Sequence, residues 1–558
     1  MKHVMAISVF LLAIGAESVS FAQGTSVKSI GAPKGWHLLD KTKDGFSGIS
    51  MDRAYEFVHS KKLKSNTVIV AVIDSGVDTL HEDLKGILWT NPGEIPGNGI
   101  DDDHNGYVDD VHGWNFLGGK DGRNVKEDSY EGARVYHSLK TKYEGKQIDS
   151  TKMSEEQKDE YRMFLDAKQK TVGEVDTEEL FFIKKILPDL KKGDSIIAAD
   201  LKKEEFNGTD LDPYIPTDIN AKKARGLYLN ICKANSNNDI TNKQILEDIE
   251  GKIRKGESAE VAPPNYRGEI TKDNENDIND RFYGNGDVMA GTPFHGTHVS
   301  GIIAAQRDNG KGIDGIADNV RIMMIRAVPD GDEHDKDIAL AIRYAVDNGA
   351  KVVNMSFGKS FSPGKKWVDE AVKYAESKGV LLVHAAGNDA ADVDTVANFP
   401  NKTLRALHTT ASNWITVGAS GDPKEGGYTA VFSNFGKEEV DVFAPGVKIY
   451  SSIPGGNTYG NAQGTSMAAP VVAGTAAFLL SYFPKLTPQQ LITILEKSAQ
   501  SPGEKVNKPG TDIKVDLKDI CKSGGIINAY EAAKMAYAFT TNNAEKLPKS
   551  TLKKTKKG

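Results

Sequence analysis

Apolar residues along this chain fall into two textures. In the first, short β-branched runs without polar alternation recur at Thr67 to Ile73, Arg321 to Ala327, Lys351 to Met355, Val380 to Ala385, Trp414 to Val417 and Val440 to Phe443. A strand that is apolar on both faces belongs inside a parallel sheet. Between several of these runs the period becomes that of an amphipathic helix, over Asp335 to Asp347 and Val368 to Lys378. This alternation predicts an α/β fold with a doubly wound, mainly parallel sheet. Chemistry in such a fold gathers at the carboxyl ends of the strands.

The second texture lies between Gly119 and Gly284. Charged helix formers dominate Met153 to Lys170, Glu178 to Lys192 and Asn242 to Lys255, and apolar runs are few. Residues 120–284 therefore read as a mostly helical insertion, dividing a sheet domain into 66–119 and 285–540. Residues 23–65 form an N-terminal segment with one amphipathic stretch, Ile49 to Val58, and residues 541–558 form a basic disordered tail.

The first 22 residues have a separate character. Lys2 and His3 precede an apolar run, Val4 to Ile14, and small residues surround Ser20-Phe21-Ala22. A basic start, an apolar core too short to span a bilayer and a small-residue cleavage point describe a secretory signal peptide. The expectation is an exported protein (secreted, periplasmic or cell-surface) with no transmembrane segment after signal cleavage. The net charge of −7 gives no reason to expect nucleic acid as a partner. The two cysteines, Cys232 and Cys521, have no companion that would make a metal or thiol site, and sequence leaves their pairing open.

Three stretches can be read as one chemical device. Asp74 ends the first apolar run in Asp74-Ser75-Gly76. His295 opens Phe294-His295-Gly296-Thr297-His298-Val299-Ser300-Gly301. Ser466 stands in Gly464-Thr465-Ser466-Met467-Ala468-Ala469-Pro470 before a buried helical run, Val471 to Leu480. A serine hydroxyl becomes a nucleophile when an imidazole takes its proton, and a carboxylate fixes that imidazole's tautomer. Pro470 suits a first helical turn, which puts Ser466 at a helix N-terminus where developing negative charge is favoured. Taken singly, Asp74 could cap a turn and His295 could be structural, as His298 is expected to be.

Asp-Ser-Gly, His-Gly-Thr-His-Val-x-Gly and Gly-Thr-Ser-Met-Ala-Ala-Pro, in this order, resemble the subtilisin-like serine proteases, the subtilase family, in an exported bacterial-type form with a large insertion. Sedolisins share the serine surroundings but use a Glu–Asp pair, and the full His295 motif argues against them. The resemblance implies Asp74 as orienting carboxylate, His295 as general base and Ser466 as nucleophile. It also implies that Asn388, in Ala385-Ala386-Gly387-Asn388, forms the oxyanion hole with the Ser466 N–H. Ser356, Phe357 and Gly358 resemble the strand that pairs with extended substrate. Asn398, in Asn398-Phe399-Pro400, resembles the floor of a medium to large, uncharged pocket.

The implied activity is endopeptidase cleavage of protein or peptide substrates by a monomer. The alternatives are a catalytically silent relative used for binding, and an esterase. The missing Gly-x-Ser-x-Gly elbow argues against the esterase.

One more motif carries chemistry. Asp101, Asp103, Asn105 and Asp109 place oxygen donors around Gly106, with the Tyr107 carbonyl available, as in the first part of an EF-hand-like loop. His112 stands where a bidentate Glu is expected. The reading is a structural Ca2+ site, with no organic cofactor. The insertion separates Asp74 from His295, two residues that must meet, so its ends are expected near the cleft rim, where it could gate access.

Overall fold

The computed structural model describes residues 31–541 except Ser236 and Thr292. The expected signal peptide and all but the first residue of the basic tail lie outside the described residues. Seven strands form one sheet: β1 Val68–Asp74, β2 Gly113–Asn115, β3 Val320–Arg326, β4 Val352–Met355, β5 Leu381–Ala385, β6 Trp414–Ser420 and β7 Val442–Pro445. Their order is β2-β3-β1-β4-β5-β6-β7, and every pairing is parallel. The six apolar runs supply six of these strands. β2 escaped the sequence reading because three residues are too few to show a period.

Along β1 the side chains alternate between two cores. Val70 and Val72 join the core that holds the helices Met51–Ser60, Phe294–Ala304 and Thr465–Tyr482. Ala71 and Ile73 join the core of Asp335–Asp347 and Lys365–Ser377 on the other face. Burial on both faces is why the runs carry no polar alternation. The helix Thr465–Tyr482 is long and apolar enough to cross a membrane, yet it is wholly buried. It begins six residues before the predicted apolar run, so Pro470 lies inside the helix rather than in its first turn.

The insertion is helical over Glu131–Tyr143, Glu155–Lys168, Thr177–Leu201, Ile219–Ala234 and Asn242–Glu257. It has a core of its own, including Ile183, Leu190, Ile197, Phe206, Tyr228 and Ile245. It is rooted in the sheet domain by the buried Arg267, whose guanidinium donates to both Asp337 oxygens at 2.7 and 3.0 Å. Residues 31–66 are part of the sheet domain as well: the Trp36 indole donates to the Val447 carbonyl at 3.1 Å, and Met51, Ala54 and Val58 enter the first core. Cys232 and Cys521 are both buried free thiols, in different cores, so they do not pair.

Candidate active site

The centre of the sheet supplies the acid. β1 lies between β3 and β4, and its last residue, Asp74, is only 1% exposed. Asp74 Oδ1 accepts the Ser75 N–H at 2.7 Å and lies 2.7 Å from His295 Nδ1. A carboxylate on Nδ1 leaves Nε2 as the basic nitrogen, which is the tautomer a general base needs. His295 sits in the first turn of Phe294–Ala304 with 22% of its side chain exposed. Gly296 makes the approach possible: a Cβ there would lie 2.1 Å from the Gly76 carbonyl oxygen. His298 Nε2, in the same helix, lies 3.0 and 3.2 Å from the carbonyl oxygens of Ile449 and Gly460, so that imidazole is a structural tie between two paired strands.

Ser466 is the second residue of Thr465–Tyr482. Gly464 precedes the helix at φ +149°, a region that L side chains rarely adopt. The Asn388 amide oxygen accepts from the Thr465 N–H at 2.8 Å and from the Thr465 hydroxyl at 3.0 Å. That hydroxyl in turn accepts from the Gly387 N–H at 3.0 Å. These bonds fix the orientation of the Asn388 amide, leaving its NH2 as the donor beside Gly464. Asp74, His295, Ser356, Phe357, Asn388 and Gly464 all line one cavity.

The Ser466 hydroxyl donates to the Ser356 carbonyl oxygen at 3.0 Å. The Ser356 hydroxyl donates to the Ser466 carbonyl oxygen at 2.8 Å. Phe357 lines the cavity and packs edge-on against His384, with ring centroids 6.4 Å apart. The Asn398 amide donates to the Ala386 carbonyl at 3.0 Å, and a Cβ on Gly358 would lie 2.6 Å from Asn398 Oδ1. Gly358 and Asn398 are not among the residues that line that cavity.

Arg326 is a residue that the sequence reading passed over. It is buried at the end of β3 and donates to the carbonyls of Ser75 (3.1 Å), Ala290 (2.9 Å) and Val125 (2.6 Å). One guanidinium thus ties the strand end after Asp74 to both roots of the insertion. Burial lowers its pKa to about 10. The signal was present in the sequence, since Arg326 is a charge directly after the apolar run Ile322 to Ile325 and before Ala327.

In the acidic loop, carboxylate oxygens of Glu94, Asp101 and Asp103 lie within 4.8 Å of one another, close enough to share one cation. The loop folds by accepting its own amides. Asp101 takes the N–H groups of Asn105 and Gly106 at 3.1 and 2.9 Å, and Asn105 Oδ1 takes that of Tyr107 at 2.7 Å. The Tyr107 ring is wedged among Trp114, Phe116 and Tyr344. Asp109 departs from the expectation. Its carboxylate accepts from Gly97 (2.7 Å), Asn98 (3.2 Å) and Gly99 (2.8 Å), because a tight glycine turn there presents three amides. Glu94 is the acid that joins the cluster instead. It lies seven positions before Asp101, outside the motif, so loop spacing could not reveal it.

Residues 65–515 match the peptidase S8 subtilase family. A thermophilic serine proteinase of Bacillus sp. (strain AK1) is 44% identical over 188 residues, 34% of this chain and 42% of that protein. Subtilisin DY of Bacillus licheniformis is 37% identical over 212 residues, 38% of this chain and 72% of that protein. A cell wall-associated protease of Bacillus subtilis (strain 168) is 36% identical over 225 residues, 40% of this chain and 23% of that protein. The chain therefore spans less than half the length of two of these three relatives. The family match reaches from before β1 to beyond Ser466, and this chain belongs to the subtilase family.

Proposed function

We propose that this chain is an exported serine endopeptidase. The observation that carries the reading is the 2.7 Å contact of His295 Nδ1 with the buried Asp74 carboxylate, in the same cavity as Asn388 and the segment at Ser356 that follows β4. His295 Nε2 takes the Ser466 proton as Oγ attacks a peptide carbonyl, and Asp74 stabilises the imidazolium. The Asn388 NH2 and the Ser466 N–H hold the oxyanion. Collapse expels the amine, protonated by His295, and leaves an acyl-enzyme that water hydrolyses by the same route.

Substrate binds as an added strand along Ser356 and Phe357, where backbone bonds give affinity and pockets give selectivity. A substrate N–H that pairs with the Ser356 carbonyl competes with the Ser466 hydroxyl for that oxygen. Binding then turns the hydroxyl towards His295. Export rests on the signal-like N-terminus and accords with the cell-wall association named for one relative. A structural Ca2+ ion held by Glu94, Asp101 and Asp103 would relieve the repulsion among these acids.

The test is Ser466→Ala in the full chain, with a serine-directed phosphonate on the parent protein. Labelling of Ser466 and loss of peptide cleavage in a folded variant are expected. An active Ser466→Ala protein would refute the assignment.

A further inference from the structure

The insertion does not stand clear of the cleft. Asn237, Ile240, Gln244 and Glu247 line the same cavity as His295 and Asn388, so this part of the insertion roofs the site. The roof is fastened to both walls. On one side Asp239 Oδ2 accepts from the Asn461 main-chain N–H at 3.0 Å and from its side-chain amide at 2.6 Å. The Asn237 amide donates to the Asn461 carbonyl at 3.2 Å. On the other side Arg254 pairs with the Asp330 carboxylate of the sheet domain at 3.1 Å and donates to the Asp330 carbonyl at 3.2 Å.

Asn461 lies in the strand Thr458–Ala462, opposite Tyr450 and only five residues before Ser466. Both of its main-chain polar groups are turned to the insertion. An outer strand edge with an available N–H and C=O is a template for an extended chain. Asn237 and Asp239 meet that edge with one donor and one acceptor, as an added peptide strand would. The cavity beneath measures about 130 Å3, against roughly 300 Å3 or more for a site that engulfs a drug-sized ligand.

We propose that Asn237 and Asp239 form a clasp on Asn461 that sets the substrate class: a single extended, unfolded chain enters as the clasp yields, and a folded protein is refused. The inference rests on the peptidase reading and adds to it the residues that control access.

The experiment uses the full chain with Asp239→Ala and the milder Asp239→Asn, titrated by the phosphonate. It measures cleavage of a short chromogenic peptide, a globular protein, and the same protein reduced and carboxymethylated. Asp239→Ala should lower the peptide KM at nearly constant kcat. It should also narrow the unfolded-to-folded preference by about thirtyfold, the scale of the two hydrogen bonds lost with the Asp239 carboxylate. Asp239→Asn should fall between it and the parent, and decides the matter alone if Asp239→Ala does not fold. An unchanged KM and preference in folded, fully titratable variants would overturn the clasp while leaving the peptidase reading intact. Parent and variants that neither cleave nor label would overturn both.

Discussion

Ser356 and Ser466 each donate a side-chain hydrogen bond to the other's main-chain oxygen, at 2.8 and 3.0 Å. The physical cause is Pro470. A helix carbonyl ordinarily accepts from the N–H four residues on, and for Ser466 that residue is a proline without one. The Ser356 hydroxyl satisfies the carbonyl so orphaned. Both residues are buried, at 1% and 4% exposure, so water cannot substitute. We predict that Ser356→Ala destabilises the fold by about 1–3 kcal/mol, the cost of an unsatisfied buried acceptor, and lowers kcat by loosening the helix start. Denaturant midpoints and steady-state kinetics test this, and unchanged stability would remove Ser356 from the role.

Gly296 is where the backbone tolerates no side chain. A Cβ would lie 2.1 Å from the Gly76 carbonyl oxygen and 3.2 Å from the Asp74 Cβ. Because the obstructing atoms belong to the strand end that carries the acid, Gly296→Ala must push His295 and Asp74 apart. A misplacement of about 1 Å can cost on the order of 100-fold in rate. The expected result is that loss in kcat with the overall fold kept, read by kinetics beside circular dichroism. Full activity would show that the helix can retreat without cost.

His37 is wholly buried, and neither ring nitrogen has a hydrogen-bond partner among the described residues. Burial lowers its pKa from 6.5 to about 4. The folded protein therefore keeps the ring neutral while the unfolded chain takes a proton, so stability falls as pH drops from 6.5 towards 4 and is unaffected above 6.5. The span corresponds to about 3 kcal/mol. His37→Gln should flatten that part of the stability profile. Unfolding midpoints at about pH 7.5, 5.5 and 4.5, one above the span and two within it, provide the check, and parallel profiles would contradict it.

Calcium should raise the thermal midpoint of the parent protein, since a ligand that binds only the folded state stabilises it by mass action. Glu94→Ala should abolish the increment, because Glu94 contributes one of the three clustered carboxylates. Asp109→Ala should lower the midpoint with or without calcium, since its carboxylate serves the amides of Gly97, Asn98 and Gly99. A chelator without effect on the parent would discard the metal. An Asp109 variant that loses only the calcium increment would return that residue to the ligand set.

Much of the sheet and most of the site were legible in the residues. β1 and β3 to β7 follow from apolar runs whose lack of alternation reports burial on both faces, a property local to each run. Asp74, His295 and Ser466 were legible because each stands next to small residues in a short motif, Asp74-Ser75-Gly76, His295-Gly296-Thr297 and Gly464-Thr465-Ser466. The acidic loop was legible only in part. Asp101 and Asp103 follow from spacing, whereas Glu94 reaches them from outside the motif.

The sequence by itself determined the strand–helix alternation, the order of the Asp74, His295 and Ser466 motifs and the helical nature of the insertion, because these depend on short-range pattern and residue chemistry. Only the tertiary structure decided that Arg326 ties the acid strand to both roots of the insertion, that Ser356 completes the helix of Ser466, and that Asp239 reaches Asn461. Those contacts join residues 36 to 251 positions apart at Arg326, 110 at Ser356 and 222 at Asp239. Such pairs are fixed by how packed layers bring distant backbone groups together, and no local period in the chain encodes them.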